Sequence, residues 1–328
     1  MRTLSAPNVG RICRIAAALL AGRSIRTLQT MLEAPVRPTR SATAPRACPP
    51  ADAPRRLTVI GPPRSGTTLL CWLLAGADRT LTISEPHLAA AALPTWRLHR
   101  LHRRVQVAAG LQRVMPPYRV DSRSYDAFLA RLAQTNGFTR IVVKETWRDA
   151  DLPQRWRNRG LLEQLAQGRT AYVIRHPADT VASTLRLARW ITGWTGRLTR
   201  LRWPQLPHFR DRAAAARWAA KNWCEYVGWL DARGATPHRY EDLVRRPEST
   251  LHAICRELDL PYSDALLQLG RPRPALGGLG DPALLTASPR AIRHDAVGRG
   301  AELSAELRRM VWDVCASSAA ALGYEVEQ

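Results

Sequence analysis

Lysine is almost missing from this chain. Of 49 basic residues only Lys144 and Lys221 are lysines, the rest being arginine. That bias, together with abundant alanine and 24 prolines, reads as GC-rich coding rather than selection for one polyanion. The net charge of +22 therefore does not by itself argue for nucleic-acid binding, although it favours anionic ligands. Paired cysteine motifs are missing too. Cys13, Cys48, Cys71, Cys224, Cys255 and Cys315 are scattered with no CxxC spacing, which excludes a zinc ribbon or a sequence-local redox dithiol and points to a reducing, cytoplasmic compartment. Long apolar runs are also wanting. The patch "ICRIAAALLAG" is broken by Arg14 and falls short of the roughly 20 residues that cross a bilayer. Among eight histidines, His99 and His102 stand at i, i+3 with no carboxylate or cysteine placed to complete a metal site, so no metal is expected.

What is present divides at residue 55. Residues 1–55 are arginine-rich and acid-poor, with one short apolar patch and then a proline-rich stretch short of aliphatics. A bacterial extension, a loose helix followed by a disordered linker, is preferred here over a transit peptide. From Arg56 to the end, short β-branched runs alternate with helical periods, which predicts one α/β domain: a three-layer sandwich around a mostly parallel sheet. "LTVIG" (57–61), "RIVVKE" (140–145) and "TAYVIR" (170–175) read as strands. "TTLLCWLLAG", a segment from about Ala178, "AAAARWAAKNWCEYVGWLDAR", "PESTLHAICRELDLP" and "AELSAELRRMVWDVCASSAAALGY" read as helices. Trp218, Trp223 and Trp229 share one long helix at core-like spacing and are expected in packing, not chemistry.

Between the first strand and its helix lies "GPPRSGTT" (61–68). A loop that leaves a buried strand and opens a helix aims backbone N–H groups and the positive helix end at one point, where an anion binds. An NTP-hydrolysing loop carries a lysine for the β- and γ-phosphates; this chain has Thr67 there. The remaining donors are Arg64, Ser65, Thr67, Thr68 and the close backbone approach that Gly66 permits. They suit a 5'-phosphate plus one further anionic group better than a triphosphate with magnesium. A second strand tip repeats the pattern: in "VIRHPADTVAS" (173–183) Arg175 ends an apolar strand, and a helix follows with Pro177 in its first turn and Ser183 further in. Two anion sites at the ends of two strands of one sheet, with the ligand lying across their carboxyl ends, suit a nucleotide phosphorylated at two positions.

These residues resemble the sulfotransferase family. "PPRSGTTLL" is similar to that family's 5'-phosphosulfate loop and "RHPADTVAS" to its 3'-phosphate motif. "RYEDLVRRPESTLHAICRELDLP" resembles the late segment that helps enclose the nucleotide, and "VGRGAEL" the C-terminal loop. The resemblance runs from about residue 56 to the end, in family order. It implies a P-loop-like fold and transfer of a sulfo group from 3'-phosphoadenosine 5'-phosphosulfate (PAPS) to an acceptor hydroxyl or amine, without a metal. It further implies Arg64, Ser65, Gly66, Thr67 and Thr68 on the phosphosulfate, Arg175 and Ser183 on the 3'-phosphate, and Tyr240 near the adenine. Arg299 would join the 3'-phosphate, although the family's basic triplet is only "GRG" here. Arg64 stands where many cytosolic relatives have lysine, which aligns the chain with the carbohydrate, tyrosylprotein and bacterial branches.

Sulfuryl transfer needs a base for the acceptor proton and cations where charge grows. Glu85 in "ISEPHL" is the expected base, held extended by Pro86; His87, two residues on, is its competitor. Lys144, kept as lysine in an arginine-dominated chain, is expected to stabilise the leaving oxygen, its compact ammonium matching a single developing charge. The preferred acceptor is a glycan, glycolipid or glycosylated small molecule, with a phenol or protein tyrosine left open, and two basic stretches, 94–119 and 186–212, are candidates to cover it. The segment 186–212, where Trp190, Trp194 and Trp203 interleave with arginines, is suited to stacking on sugars or lying on an anionic membrane surface. No specific nucleic acid is expected. The alternatives carried forward are a basic polyanion-binding protein on an inactive P-loop scaffold and a small-molecule kinase.

Overall fold

The run Arg55–Ile60 buries its last four residues in succession, as a central parallel strand covered on both faces must. It is β1 of a computed structural model that describes residues 53–85, 122–146, 148, 160–188, 211–269, 275–276 and 291–325. Nearly all of the extension expected at 1–55, together with His87, His99, His102, Trp190, Trp194 and Trp203, lies outside the described residues. In chain order there follow α1 (Thr67–Leu74), β2 (Thr80–Ser84), α2 (Ser122–Thr135), β3 (Arg140–Glu145), α3 (Leu161–Ala166) and β4 (Arg169–Ile174). Next come α4, which occupies 177–188, α5 (Arg212–Asp231), β5 (His238–Arg239), α6 (Tyr240–Arg245), α7 (Pro247–Leu258), β6 (Ala275–Leu276) and α8 (Ala305–Ala321).

The described strands make one sheet in the order β5-β4-β1-β3-β2-β6, with every neighbouring pair parallel. Side chains alternate across it and so divide the core into two layers. Leu57, Val59, Ala171 and Val173 face α1, α6 and α7 through Leu70, Leu73, Leu243, Leu251 and Ile254. Ile60 and Tyr172 face α3 and α5 through Leu162, Leu165 and Tyr226. Ile174 continues that second layer into α4, α5 and α8, where Trp223, Val227, Val311 and Trp312 pack. This is the expected three-layer sandwich. Among the described residues no helix is long and apolar enough to cross a membrane.

The chain order places the site. From β1 the chain moves to one side of the sheet to build β2 and β3, then crosses to the other side for β4 and β5. The reversal lies between β1 and β4, and in an open parallel sheet the crevice at such a switch point, beyond the carboxyl ends, receives the ligand. Here those ends carry Gly61 to Thr68 after β1 and Arg175 after β4. Gly61 is what lets the first loop cross so close to the neighbouring strand: a Cβ there would stand 2.1 Å from the Val173 carbonyl oxygen. We expect Gly61→Ala to destabilise the fold by about 3 kcal/mol, the upper end of the usual cost of overpacking, because backbone is struck. A urea-unfolding midpoint equal to that of the unmodified protein would refute this close approach.

Candidate active site

The loop after β1 turns through left-handed backbone twice, at Arg64 (φ 73°) and Gly66 (φ 89°). Gly66 caps α1, so the first-turn amides at Thr67 and Thr68 open toward the loop without intrahelical acceptors. Glycine is required there on a second count. The Tyr240 ring lies on it so closely that a Cβ would meet Cδ2 at 2.1 Å. Tyr240 follows β5 directly, which pairs with the end of β4, so a sheet-edge strand delivers this ring to the loop. Burial pushes its phenol above the ordinary range, Arg175 opposing in part; it stays protonated.

Arg175 is buried at 4 % exposure, and four segments of chain meet it. Its guanidinium lies 4.8 Å from the centre of the Tyr240 ring, reaches the Arg64 carbonyl at 3.5 Å, pairs with Asp179 at 3.4 Å and donates to the Ala296 carbonyl. Its own carbonyl accepts the Trp223 indole N–H at 2.8 Å. Arg64 Nε donates to Ser183 Oγ at 3.1 Å. The two motifs read from the sequence as separate anion sites are thus in direct contact through Arg64, Ser183 and Arg175. Asp179 also accepts the backbone N–H of Gly298 (2.9 Å) and Gly300 (2.6 Å), which draws the C-terminal loop against this corner. Arg299, on that loop, is held by Asp295 through the carboxylate at 3.1 Å and the carbonyl at 2.9 Å.

The other half of the site stands at the ends of β2 and β3. Lys144 and Glu85 form an ion pair at 2.8 Å, both almost fully buried, and the Thr146 hydroxyl donates to the same Glu85 oxygen, Oε1, at 2.5 Å. Oε2 receives neither bond. Tyr226 in turn donates to the Thr146 carbonyl at 2.7 Å. Glu85 was expected in extended conformation ahead of Pro86; instead its φ is 51°. Its N–H still donates to the Lys144 carbonyl at 2.7 Å, which prolongs the β2–β3 ladder by one step, and the left-handed turn then brings the carboxylate to Lys144 and Thr146. Such a turn costs about 1–2 kcal/mol for a residue with a side chain, offset here by the ion pair and two hydrogen bonds. Cys71, on α1, feels both charges, but burial pushes its thiol up to about 11; it is a neutral packing residue.

Three side-chain atoms at this rim are buried without a hydrogen-bond partner: Ser65 Oγ, Ser84 Oγ and Arg175 Nε. Few buried polar atoms in a folded protein are left so, and an ordered water or a bound ligand is what completes their bonding. Ser65 and Arg175 were named from the sequence. Ser84, Thr146, Asp179 and Trp223 were not given these roles. Asp179 was within reach, since it stands four residues after Arg175 in the motif already quoted. Among the described residues no group of three or more His, Cys, Asp or Glu is placed to hold a metal ion.

The fold and these joined strand tips define a P-loop-like α/β protein with a basic rim at its carboxyl ends. The model of the Sulfotransferase family matches residues 56–264, and the chain belongs to that family. No curated protein sequence matches it significantly. Among solved structures, the sulfotransferase domain from the curacin biosynthetic pathway is 21% identical with a TM-score of 0.50, over 84% of this chain and 100% of that one. The sulfotransferase domain from the Synechococcus PCC 7002 olefin synthase is 20% identical with a TM-score of 0.52, over 85% of this chain and 98% of that one. Both share the fold.

Removing the Asp179 carboxylate leaves two N–H groups without their acceptor and a buried guanidinium without its counter-charge. Asp179→Ala is expected to lower stability by about 3 kcal/mol or more and to free the loop around residues 298–300. Hydrogen exchange at the Gly298 and Gly300 amides checks this; unchanged protection would refute the anchoring.

Proposed function

We propose that this sulfotransferase takes its sulfo group from PAPS and transfers it to an acceptor hydroxyl on a glycan, glycolipid or glycosylated small molecule. The observation that carries the reading is the contact between the two strand-tip motifs: Arg64 bonded to Ser183 and lying against Arg175, with Ser65 Oγ and Arg175 Nε unpaired beside them. A doubly anionic adenosine satisfies both orphaned groups at once. Arg64 and the amides at Thr67 and Thr68 would take the 5' side, Arg175 and Ser183 the 3'-phosphate. Tyr240, lying on Gly66 and beneath Arg175, forms a wall between them. Arg299 remains in reach of the same corner on its anchored loop.

In the transfer step the acceptor oxygen attacks sulfur in line, the bond from sulfur to the phosphate oxygen breaks, and the acceptor's proton moves to a base. Glu85 fits the last role. Lys144 and Thr146 fix Oε1, which leaves Oε2 as the oxygen to accept the proton. Lys144, paired with that carboxylate, would stabilise the charge that grows on the departing phosphate oxygen, and the α1 amides would share it. The products are a sulfate ester and adenosine 3',5'-bisphosphate. The segment 186–212 is the preferred acceptor cover, and an anionic membrane surface its preferred neighbour if the acceptor is a glycolipid.

Two measurements test the reading. Titration calorimetry is expected to show adenosine 3',5'-bisphosphate binding without magnesium and much more tightly than ATP; ATP binding that is equal or magnesium-dependent would point to a kinase instead. Glu85→Gln keeps an acceptor for Lys144 and Thr146 but removes the base, so turnover should fall by about 10²–10⁴-fold while bisphosphate affinity is retained. Near-normal turnover in that variant, with loss in His87→Ala, would move the role to His87.

A further inference from the structure

Cys224 and Cys315 are 91 residues apart in the chain, yet their sulfurs lie 3.4 Å apart where α5 packs along α8. Cys315 is fully buried, whereas Cys224 is only partly so. As thiols, both have carbonyl neighbours: Val314 at 3.3 Å from Cys224 and Ala220 at 3.5 Å from Cys315. No sulfotransfer role described above uses either sulfur. We propose that the two form a redox-responsive thiol pair, oxidised by a small-molecule disulfide to an intramolecular disulfide that clamps α8 to α5.

The asymmetry of the pair sets the order of events. Cys224 is the more exposed residue of the two, and its neighbours Cys315 and Ser318 hold its thiol below the ordinary range, with burial opposing. The thiolate, not the thiol, attacks a disulfide. Cys224 therefore attacks the external disulfide first, forms one S–S bond and releases one small thiolate. Cys315, its thiol raised by the adjacent Cys224 and by burial, is the resolving partner. Once Cys224 is in mixed disulfide its negative charge is gone, which removes one cause of that rise. Cys315 then loses its proton and displaces the second small thiolate. Two protein thiols are oxidised, one external disulfide is reduced to two thiols, and the two protein protons end on the released sulfurs. The last bond requires the sulfurs to close from 3.4 Å to about 2.05 Å, within the reach of a small rotation or helix shift.

The location gives the link a consequence. Cys224 follows Trp223, whose indole holds the Arg175 carbonyl. The helix that carries Cys315 begins at Ala305, just after the turn Arg299–Glu302. The disulfide would fasten together the two supports of the Arg175 corner. Its formation does not depend on the donor or acceptor proposed above.

The test uses the full chain, reduced, freed of reductant and incubated with glutathione disulfide, then alkylated and digested for peptide mass spectrometry. The expected result is a cross-linked peptide pair containing Cys224 and Cys315, and a urea-unfolding midpoint higher for the oxidised than for the reduced protein. Cys224→Ser should abolish both the link and the difference in midpoint. The proposal is overturned if both cysteines remain open to alkylation, if Cys224 stays glutathionylated beside a free Cys315, if Cys224 pairs with another cysteine, or if oxidation lowers the midpoint. Should the variant fail to fold, the peptide map of the unmodified chain decides alone.

Discussion

A buried guanidinium must have its charge and its donors answered, because leaving them unanswered costs several kcal/mol. Arg175 imposes that requirement on everything around it. Placed at the end of β4 by a strand that alternates cleanly between two cores, it cannot reach solvent, so other segments come to it. The β1 loop offers the Arg64 carbonyl, α4 offers Asp179, the C-terminal loop offers Ala296, and α6 offers the face of Tyr240. Four stretches that are far apart in sequence are thereby held at one corner of the sheet. The corner still keeps two unmet demands, the Arg175 Nε and the Ser65 Oγ, and both are donors of the kind an anion can meet.

The opposite side of the site obeys a different balance. Glu85 and Lys144 neutralise each other in a setting where either alone would be unstable, and Glu85 adopts a disfavoured backbone conformation to make the pair. Strain that persists at a strand end, held by an ion pair and by the Thr146 hydroxyl, is the kind found where a side chain must be aimed. The two halves meet through the sheet itself. β1 lies between β3 and β4, so the glycine loop sits between the ion pair and the guanidinium without needing a separate domain to hold them.

Much of this was legible in the sequence because the determinants are local. Apolar runs marked the strands, glycine spacing marked the loop, and basic residues at strand tips marked Arg64, Arg175 and Lys144. The family model covers residues 56–264, which include the first three of the four motifs but not the C-terminal loop. What could not be read depends on contacts between distant segments. The backbone of Glu85 is set by Lys144 and Thr146 on another strand, which outweighs the preference that Pro86 imposes. The short strand in "TPHRYEDL" is legible before Tyr240 and is β5, but the seating of the Tyr240 ring on Gly66 depends on which strand β5 pairs with. Trp223 reads as core and is core, but its one polar atom is spent on Arg175. Cys224 and Cys315 share no motif and come together only because α5 and α8 do.

The scarcity of lysine sharpens the meaning of Lys144. In a chain that supplies arginine almost everywhere a cation is wanted, the cleft between the ends of β2 and β3 holds a side chain only 2 % exposed. A guanidinium is planar and wider and brings five donors that all need acceptors, whereas the ammonium of Lys144 bonds the one Glu85 oxygen that Thr146 also holds. An ammonium can satisfy that oxygen and still turn a second donor outward. A compact, buried ammonium paired with a single carboxylate is a requirement of size and charge that coding bias does not erase.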